Sequence, residues 1–508
     1  MPPVLRPEYP EARPLDQLIS HFSLDFSGDI GAVAVTGVTL RSTEVQPGDL
    51  YVGVPGANSH GADFADDARA AGAVAMVTDA AGSLRESPVG FPVLVTTSPR
   101  ALLGELSAWV YRTRENVPQL FGVTGTNGKT STAYILEAIL RQLGVVTGLS
   151  STAERHIGDL TVVSRLTTPE ASEMHALLAR MQESDVSAAA IEVSAQALSR
   201  NRVDGIFFDV VAFTNLSHDH LDDYETMDEY FEAKAALFDP ARGGRGVVSL
   251  DSSYGNRLAE ASQIPVTTIS SLPTTPGDWN VQIDEERAEW TGFTLRGPEG
   301  QSFSTRVPLI GRHMAANAGL AIVMLVEAGY PFATIAEQLG SSGIRAYLPG
   351  RTERVSGETG PAVFVDFGHS PDAFLNTLAA VRTFTTGRVI MVFGADGDRD
   401  ATKRHEMGRV ASEGSDILVV TDHHPRFEDP ESIRATLVEG ASLAEHQAEL
   451  FQVSPPEQAI RRAVSLARDG DTILWAGPGH QDYRDIRGVR TPYSARAEAR
   501  EALREAGW

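Results

Sequence analysis

The chain has 508 residues, no cysteine and a formal net charge of −24. A field that negative repels nucleic-acid backbones, and the absence of thiols excludes disulfides, cysteine nucleophiles and cysteine-ligated metals. At roughly 100 to 200 residues per domain, this length with 42% hydrophobic residues predicts about three globular domains.

The first stretch, MPPVLRPEYPEARPLDQLI, carries prolines and acids in place of a basic head and an apolar core, so it does not read as a signal peptide. No run approaches the ~18 apolar residues of a membrane span. The expectation is a cytoplasmic protein with neither nucleic-acid nor membrane partners, and a monomer by default.

Residues 1–115 read as a small α/β unit. GDLYVGVPG has the alternation of a strand, DFADDARAAGAVAMVT that of a helix and then a strand, and PRALLGELSAWVYRTREN that of a closing amphipathic helix. A second segment, 116–345, opens on VPQLFGVTGTNGKTSTAYILEAILRQLG, an apolar strand, a glycine-rich loop and a helix. SAAAIEVS, DVVAFTNLS and GRGVVSLD follow as continuous apolar runs, the pattern of parallel strands covered on both faces. A turn-rich β patch spans about 265–310, and a helical pair about 311–341. The third segment, 346–508, repeats the doubly wound pattern with PAVFVDF, GRVIMVFGA, SDILVVTD and DTILWAG. The predicted fold class is α/β in three domains: a small N-terminal unit, a central P-loop mononucleotide-binding parallel sheet and a C-terminal Rossmann-like sheet.

Polar residues cluster directly after these strands: TGTNGKT, EVS, TNLSHDHLD, DFGHSPD, GADGDRD, TDHHPR and GPGHQD. Ligands of open α/β sheets bind outside the carboxyl ends of the strands, so these tips are the candidate site. GVTGTNGKTS, residues 122–131, is the strongest local signal. Gly125 and Gly128 let backbone approach a phosphate, with Thr126 and Asn127 between them. Lys129 would reach the β- and γ-phosphates, the Thr130 hydroxyl would bind Mg²⁺, and Ser131 follows in the first helical turn. The fit to the P-loop pattern departs at Val123, where a glycine is usual. The bland alternative is a glycine turn with a capping threonine, and the strand–loop–helix setting argues against it. A P-loop specifies a nucleotide and leaves kinase, motor, GTPase and ligase open.

In their order, LTTPEA, IEVSAQAL, FTNLSHDHLD and EYFEAKAALF resemble the Mur ligase family of ATP-dependent amide-bond-forming enzymes, over nearly the whole chain. Within that family the chain looks most like the members that add the third amino acid of the peptidoglycan stem peptide. The resemblance implies ATP and Mg²⁺ as cofactors, with UDP-N-acetylmuramoyl-dipeptide and a free amino acid as substrates. The D-Glu carboxylate would be activated as an acyl phosphate and then attacked by the amine. Bringing a triphosphate to a carboxylate requires cations and positioning more than covalent chemistry.

The family's motifs also imply roles for particular residues. Glu192 and His220 match its metal ligands, joined by Thr130. Lys234 matches a lysine that is carbamylated to form a second metal ligand. Asn317 matches an adenine contact, Arg351 a phosphate contact and Asp366 a ribose contact, while His369 would lie near the phosphates. Ser42 matches a uridine contact. Thr167, Thr168, Ser194 and Arg202 match muramoyl-peptide contacts. Two departures stand out: Met314 replaces a second adenine-side asparagine, and Arg41-Ser42-Thr43 replaces Asp-Ser-Arg; Asp366 could instead simply end its strand.

In diaminopimelate-adding relatives the stretch after Thr-Asp reads Asp-Asn-Pro-Arg and holds the incoming amino acid. Here it reads His423-His424-Pro425-Arg426, and the later Gly-Lys-Gly-His-Glu pattern reads Gly477-Pro478-Gly479-His480-Gln481. Arg399 and Arg426 suit a carboxylate. Without the two acids a side-chain ammonium lacks its counter-charge, so the expected amino acid is neutral and polar, with L-homoserine first. Lysine, ornithine or diaminobutyrate would need Asp422, Glu428 or Asp482 to turn in, and meso-diaminopimelate ranks lower still. A metal at the two histidines is disfavoured because adjacent side chains rarely converge on one ion. A P-loop ATPase or phosphotransferase without ligation, and a catalytically silent binding homologue, are the rival classes.

Overall fold

The computed structural model describes residues 5–115, 117–219, 221–340 and 342–508. The chain divides into two compact units. The first runs up to Thr124 and adds Gly144–Val211 and Ala233–Arg245. The second comprises Gly125–Leu143, Ala212–Glu232 and Gly246–Trp508.

In the first unit, Asp25–Ser27, Val93–Val95, Ala75–Thr78, Asp49–Gly53 and Gly37–Thr39 form a five-stranded sheet in that order. Its pairs are parallel except the first. The predicted alternation of Asp49–Gly53 does not translate into a wet face, since all five residues are buried. Leu50 and Val52 join one core with Leu103 and Leu106, while Tyr51 joins another with Ala65 and Phe91. A parallel strand covered on both sides has no solvent face to alternate with. A second sheet in this unit sets Thr147–Ser150, Ala188–Glu192 and Gln119–Thr124 parallel. It is extended by antiparallel Glu154–Ile157 and Leu160–Val163.

In the second unit, the β patch forms Trp279–Glu286, Thr291–Arg296 and Ser302–Val307, all antiparallel. The central region is therefore a mixed sheet, parallel around the phosphate loop as expected and extended by antiparallel strands that include the expected β patch. Helix Arg312–Glu327 packs on helix Lys129–Gln142. The C-terminal sheet has the order Glu353–Arg354, Ala362–Asp366, Thr472–Ala476, Val389–Phe393, Ile417–Val420, Glu449–Gln452. Only the short first strand is antiparallel. Met391, Phe393, Leu418 and Val420 pack into one face's core, and Ile390, Val392, Ile417 and Val419 into the other's, as side-chain alternation requires. The register sets Asp366 and Phe393 opposite Ala476, and Val420 opposite Phe393. Four strands thus end level, and the loops that follow them share one edge. Among the described residues, no helix is long and apolar enough to cross a membrane.

Candidate active site

In the second unit, the phosphate loop is wrapped by its neighbour, residues 214–217. The Thr126 and Asn127 amides donate to the Asn215 backbone carbonyl (2.9 Å) and side-chain Oδ1 (3.0 Å). The Thr214 hydroxyl donates to the Asn127 carbonyl at 2.6 Å. Gly125 and Gly128 have φ of 148° and 87°. A side chain at Gly125 would strike the Thr214 hydroxyl, and one at Gly128 would sit 2.7 Å from Asn317 Oδ1. Both glycines are therefore required, and Asn317 packs directly behind the loop. Lys129 Nζ folds back to donate to the Gly125 and Thr126 carbonyls, each at 2.9 Å. Thr130 and Ser131 are buried at the start of a 14-residue helix. This set fits a triphosphate and its Mg²⁺: a helix N-terminus, a lysine within reach and a hydroxyl in the first turn.

Residues from the third segment reach the same loop. Arg351 Nη2 donates to Thr130 Oγ1 at 2.7 Å, and the Arg351 guanidinium lies 4.2 Å from the Phe367 ring centroid. Asn127 Nδ2 donates to Asp372 Oδ2 at 3.0 Å. Asp366 does more than end its strand. It accepts from the Thr352 amide at 2.8 Å and the Gly368 amide at 2.6 Å, tying the strap that carries Arg351 to the strand tip. Lys403, which the sequence reading missed, is buried with its Nζ 2.7 Å from Asp219 Oδ1. His369 Nε2 lies 3.8 Å from the other Asp219 oxygen, and Arg399 lies 4.0 Å from Asp222. His220 is outside the described residues.

The first unit gathers the expected peptide-contact residues around Glu192. This fully buried carboxylate accepts from the Thr152 amide at 2.8 Å and its hydroxyl at 3.0 Å. Thr152 Oγ1 also meets the Thr167 hydroxyl at 3.0 Å. Thr168 Oγ1 donates to the Glu192 carbonyl and accepts from the Ser194 amide. Arg202 Nε donates to Glu170 at 3.0 Å, and Arg100 donates to the other Glu170 oxygen at 2.5 Å. Glu170 and Arg100, also missed from sequence, line a cavity of about 220 Å³ with Arg6, Thr39, Arg41 and Glu44. Ser42 opens the short helix beside that cavity. Lys234 is buried, with about 1% of its surface exposed.

The paired histidines have different fates. His424 Nδ1 accepts from the Asp485 amide at 3.0 Å, so its Nε2–H donates to Gln481 Oε1 at 2.8 Å. Its ring stacks on Tyr483. Burial above all pushes its pKa down to about 4. It is a neutral anchor for the hairpin Tyr483–Ile486 and Val489–Pro492. His423 Nδ1 lies 2.6 Å from Asp396 Oδ1, and Arg426 Nη2 lies 3.4 Å from Asp396 Oδ2. Burial works against the Asp396 carboxylate, but the hydrogen bond from His423 and the charge of Arg426 outweigh it and hold its carboxyl well below the usual range. The adjacent rings do converge, with centroids 4.1 Å apart, and together with Asp396 they bring three ligand-type atoms within 4.8 Å. That overturns the spacing argument against a metal, but both His424 nitrogens are already committed to protein. The fallback acids are committed as well: Asp422 to Arg434, Glu428 to Arg404 and Asp482 to Arg496.

Three sequence profiles cover this architecture: the Mur ligase catalytic domain over residues 34–111, the Mur ligase middle domain over 123–325, and the Mur ligase glutamate ligase domain over 350–479. The chain belongs to the Mur ligase family and is an ATP-dependent ligase using ATP and Mg²⁺. It is of the tripeptide-synthetase type, acting in peptidoglycan synthesis. It is 59% identical, over all of its length and 99% of the relative's, to a UDP-N-acetylmuramyl-tripeptide synthetase of Leifsonia xyli subsp. xyli. A UDP-N-acetylmuramoyl-L-alanyl-D-glutamate–2,6-diaminopimelate ligase of Streptomyces avermitilis is 42% identical, with 98% of both chains covered. Among solved structures, a ligase of that same description aligns with TM-score 0.65 at 24% identity, covering 98% of this chain and all of that one. MurF ligase of Thermotoga maritima, solved with ADP, aligns at 0.66 and 17% identity, covering 92% and 97%. The shared fold is the three-domain α/β fold of Mur ligases.

Proposed function

We propose that the chain joins a free amino acid to the D-Glu carboxylate of UDP-N-acetylmuramoyl-dipeptide, as a cytoplasmic monomer. ATP supplies the phosphoryl group that activates the carboxylate, and the incoming amine displaces phosphate to form the amide. The reading assigns residues 1–115 to the UDP-sugar, 116–345 to ATP and 346–508 to the amino acid. Ser42, Thr167, Thr168, Ser194 and Arg202 bind the muramoyl peptide. Lys129 and Arg351 neutralise phosphate charge, Asn317 and Asp366 hold the nucleoside, and His369 stands near the phosphates. Thr130, Glu192, His220 and Lys234 as a carbamate hold Mg²⁺. Lys234 is buried, and carbamylation would turn its cation into a carboxylate able to ligate a metal. Lys234→Ala is expected to lose turnover and to recover part of it with added formate or acetate. A variant with near-normal turnover would remove the residue from the metal set.

The incoming amino acid is neutral and polar, with L-homoserine first. The carrying observation is that Asp396, Asp422, Glu428 and Asp482 are each paired with a cationic or imidazole side chain, which leaves an added ammonium without a free counter-charge. Arg399 and Arg426 hold anionic groups, with Gly477, Gln481 and the two histidines shaping the pocket. A diamino acid is the second reading, favoured by relatives that are 2,6-diaminopimelate ligases, such as the Streptomyces enzyme. The test incubates the protein with ATP, Mg²⁺, the UDP-muramoyl dipeptide and one amino acid at a time, and weighs the nucleotide product. Homoserine should give the dominant adduct over lysine, ornithine, diaminobutyrate and diaminopimelate. A dominant diamino acid adduct rejects the neutral reading and leaves the ligase in place.

A further inference from the structure

We propose that Asp396 fixes the His423 ring so that its Nε2 is a hydrogen-bond acceptor, and that this atom reads a donor group at the end of the incoming side chain. The inference rests on the pocket assignment above and adds to it a polarity and a positioning residue. Asp396 and His423 follow the neighbouring parallel strands Val389–Phe393 and Ile417–Val420, whose ends pair at Phe393 and Val420. The level register delivers the carboxylate to the imidazole, Oδ1 to Nδ1 at 2.6 Å. An ionised carboxylate only accepts, so the shared proton sits on Nδ1; with that as the only proton on the ring, Nε2 presents a lone pair.

That Nε2 atom is sealed from solvent and has no hydrogen-bond partner; Arg426 Nε is in the same state. Native structures leave few such atoms unpaired, and each calls for an explanation. Here one acceptor and one donor are unpaired on two groups held by opposite oxygens of a single carboxylate. His424 cannot take the reading role, because the Asp485 amide and Gln481 Oε1 use both of its nitrogens. That same bond leaves Gln481 turned with its N–H₂ as the remaining polar end. Gly477 lies against the Cγ–Cδ2 edge of His423, where even an added Cβ would stay 3.9 Å from the ring. The charged and titratable groups around His423 are Asp396, Arg426, His424, Asp422 and Arg484, whose Nε lies 3.4 Å from the His423 carbonyl. Arg426 already offsets the Asp396 charge, so an incoming ammonium would meet an arginine. A hydroxyl can donate to Nε2 and accept from Arg426 or Gln481.

The test compares homoserine with norvaline, which puts a methyl where homoserine has its hydroxyl, in kcat/KM on the full-length ligase. A site built to bond a hydroxyl rejects the analogue lacking it, so the wild type should prefer homoserine by at least about 100-fold. Asp396→Asn can donate to Nδ1 and turn Nε2 into a donor, so the preference should fall to within about threefold. Imidazole ¹⁵N resonances, assigned by difference from His423→Gln, should show the proton on Nδ1 in the wild type and on Nε2 in Asp396→Asn. A merely structural Asp396 would not move that signature. Equal use of homoserine and norvaline by the wild type overturns this inference, leaves the neutral-side-chain reading standing, and assigns Nε2 to a water. A preference unchanged in Asp396→Asn, or a wild-type proton on Nε2, also overturns it. Ligation of a diamino acid alone rejects the pocket reading itself, and this inference with it.

Discussion

Replacing Lys129 by alanine is expected to lower kcat by at least about a thousandfold while leaving thermal stability nearly unchanged. The lysine's ammonium sits over the loop on the Gly125 and Thr126 carbonyls, at 2.9 Å from each. Those two bonds are local, three and four residues back, so their loss costs the fold little. What is lost is the compact positive charge that meets phosphate charge as it is transferred. Removing one preorganised donor from such a site typically costs about 10²–10³ in rate, and cationic groups in phosphoryl transfer reach about 10³–10⁵. Lys129→Arg should not rescue, because the cradle between Gly125 and Gly128 is closed by Thr214 and Asn317 and a guanidinium fork needs more width than an ammonium. The measurement is phosphate release with saturating substrates, alongside a melting curve. A stable variant keeping more than about a tenth of wild-type turnover would remove Lys129 from the chemistry; a large drop in melting temperature would mean that the lysine holds the loop together.

The strands and the phosphate loop were legible because their signals are local. A short continuous apolar run bounded by turn residues, such as VIMVF, reads as a strand buried on both faces, and GTNGKT carries its glycines, lysine and threonine within six residues. Thr167, Thr168, Ser194 and Arg202, singled out as expected peptide contacts, do lie together beside Glu192, the expected metal ligand. The organiser of that cluster, Thr152, was not legible, because a threonine binding both oxygens of Glu192 40 residues away leaves no periodic trace. Asp396 was missed for the same reason. It stands in GADGDRD as one acid among several, and only the register of two strands shows that it belongs to His423. The hairpin that claims His424 was missed too, because Tyr483–Ile486 and Val489–Pro492 are largely exposed and carry no core pattern. Asp422, Glu428 and Asp482 looked free in sequence because their arginine partners lie 12, 24 and 14 residues away. Chemistry carried by neighbours along the chain could be read; chemistry carried by partners across strand tips could not.

Acidification should destabilise both units between about pH 6.5 and 4, before most carboxylates titrate. His175 in the first unit and His424 in the second each have a pKa near 4, lowered mainly by burial. Each is fixed in the same neutral form. The His175 ring lies 3.0 Å from the Asp204 carbonyl through Nε2, which must donate there, and its Nδ1 meets the Thr113 hydroxyl at 2.5 Å. His424 donates through Nε2 to Gln481 and accepts the Asp485 amide at Nδ1. Protonating that Nδ1 would set two N–H groups against each other, so burial is not the only cost. Unfolding returns each ring to an ordinary value near 6.5. Between the two values the unfolded chain binds more protons, so stability rises with pH across this window and falls as acid is added. Each contribution is fully present above about pH 6.5 and is lost as pH falls to about 4. A shift of about 2.5 units at about 1.36 kcal/mol per unit gives about 3 kcal/mol for each histidine. Carboxylates held low by their hydrogen-bond and arginine partners, such as Asp396 and Asp471, act in the same direction but only below the ordinary carboxylate range. The check is urea unfolding at pH 7.5 and 5.0, followed for each transition, with His175→Gln and His424→Gln as comparisons. Each substitution should flatten the pH response of the transition that contains it, because the glutamine cannot take up the proton. Midpoints that stay put between pH 7.5 and 5.0 in the wild type would mean that neither histidine is held neutral by the fold.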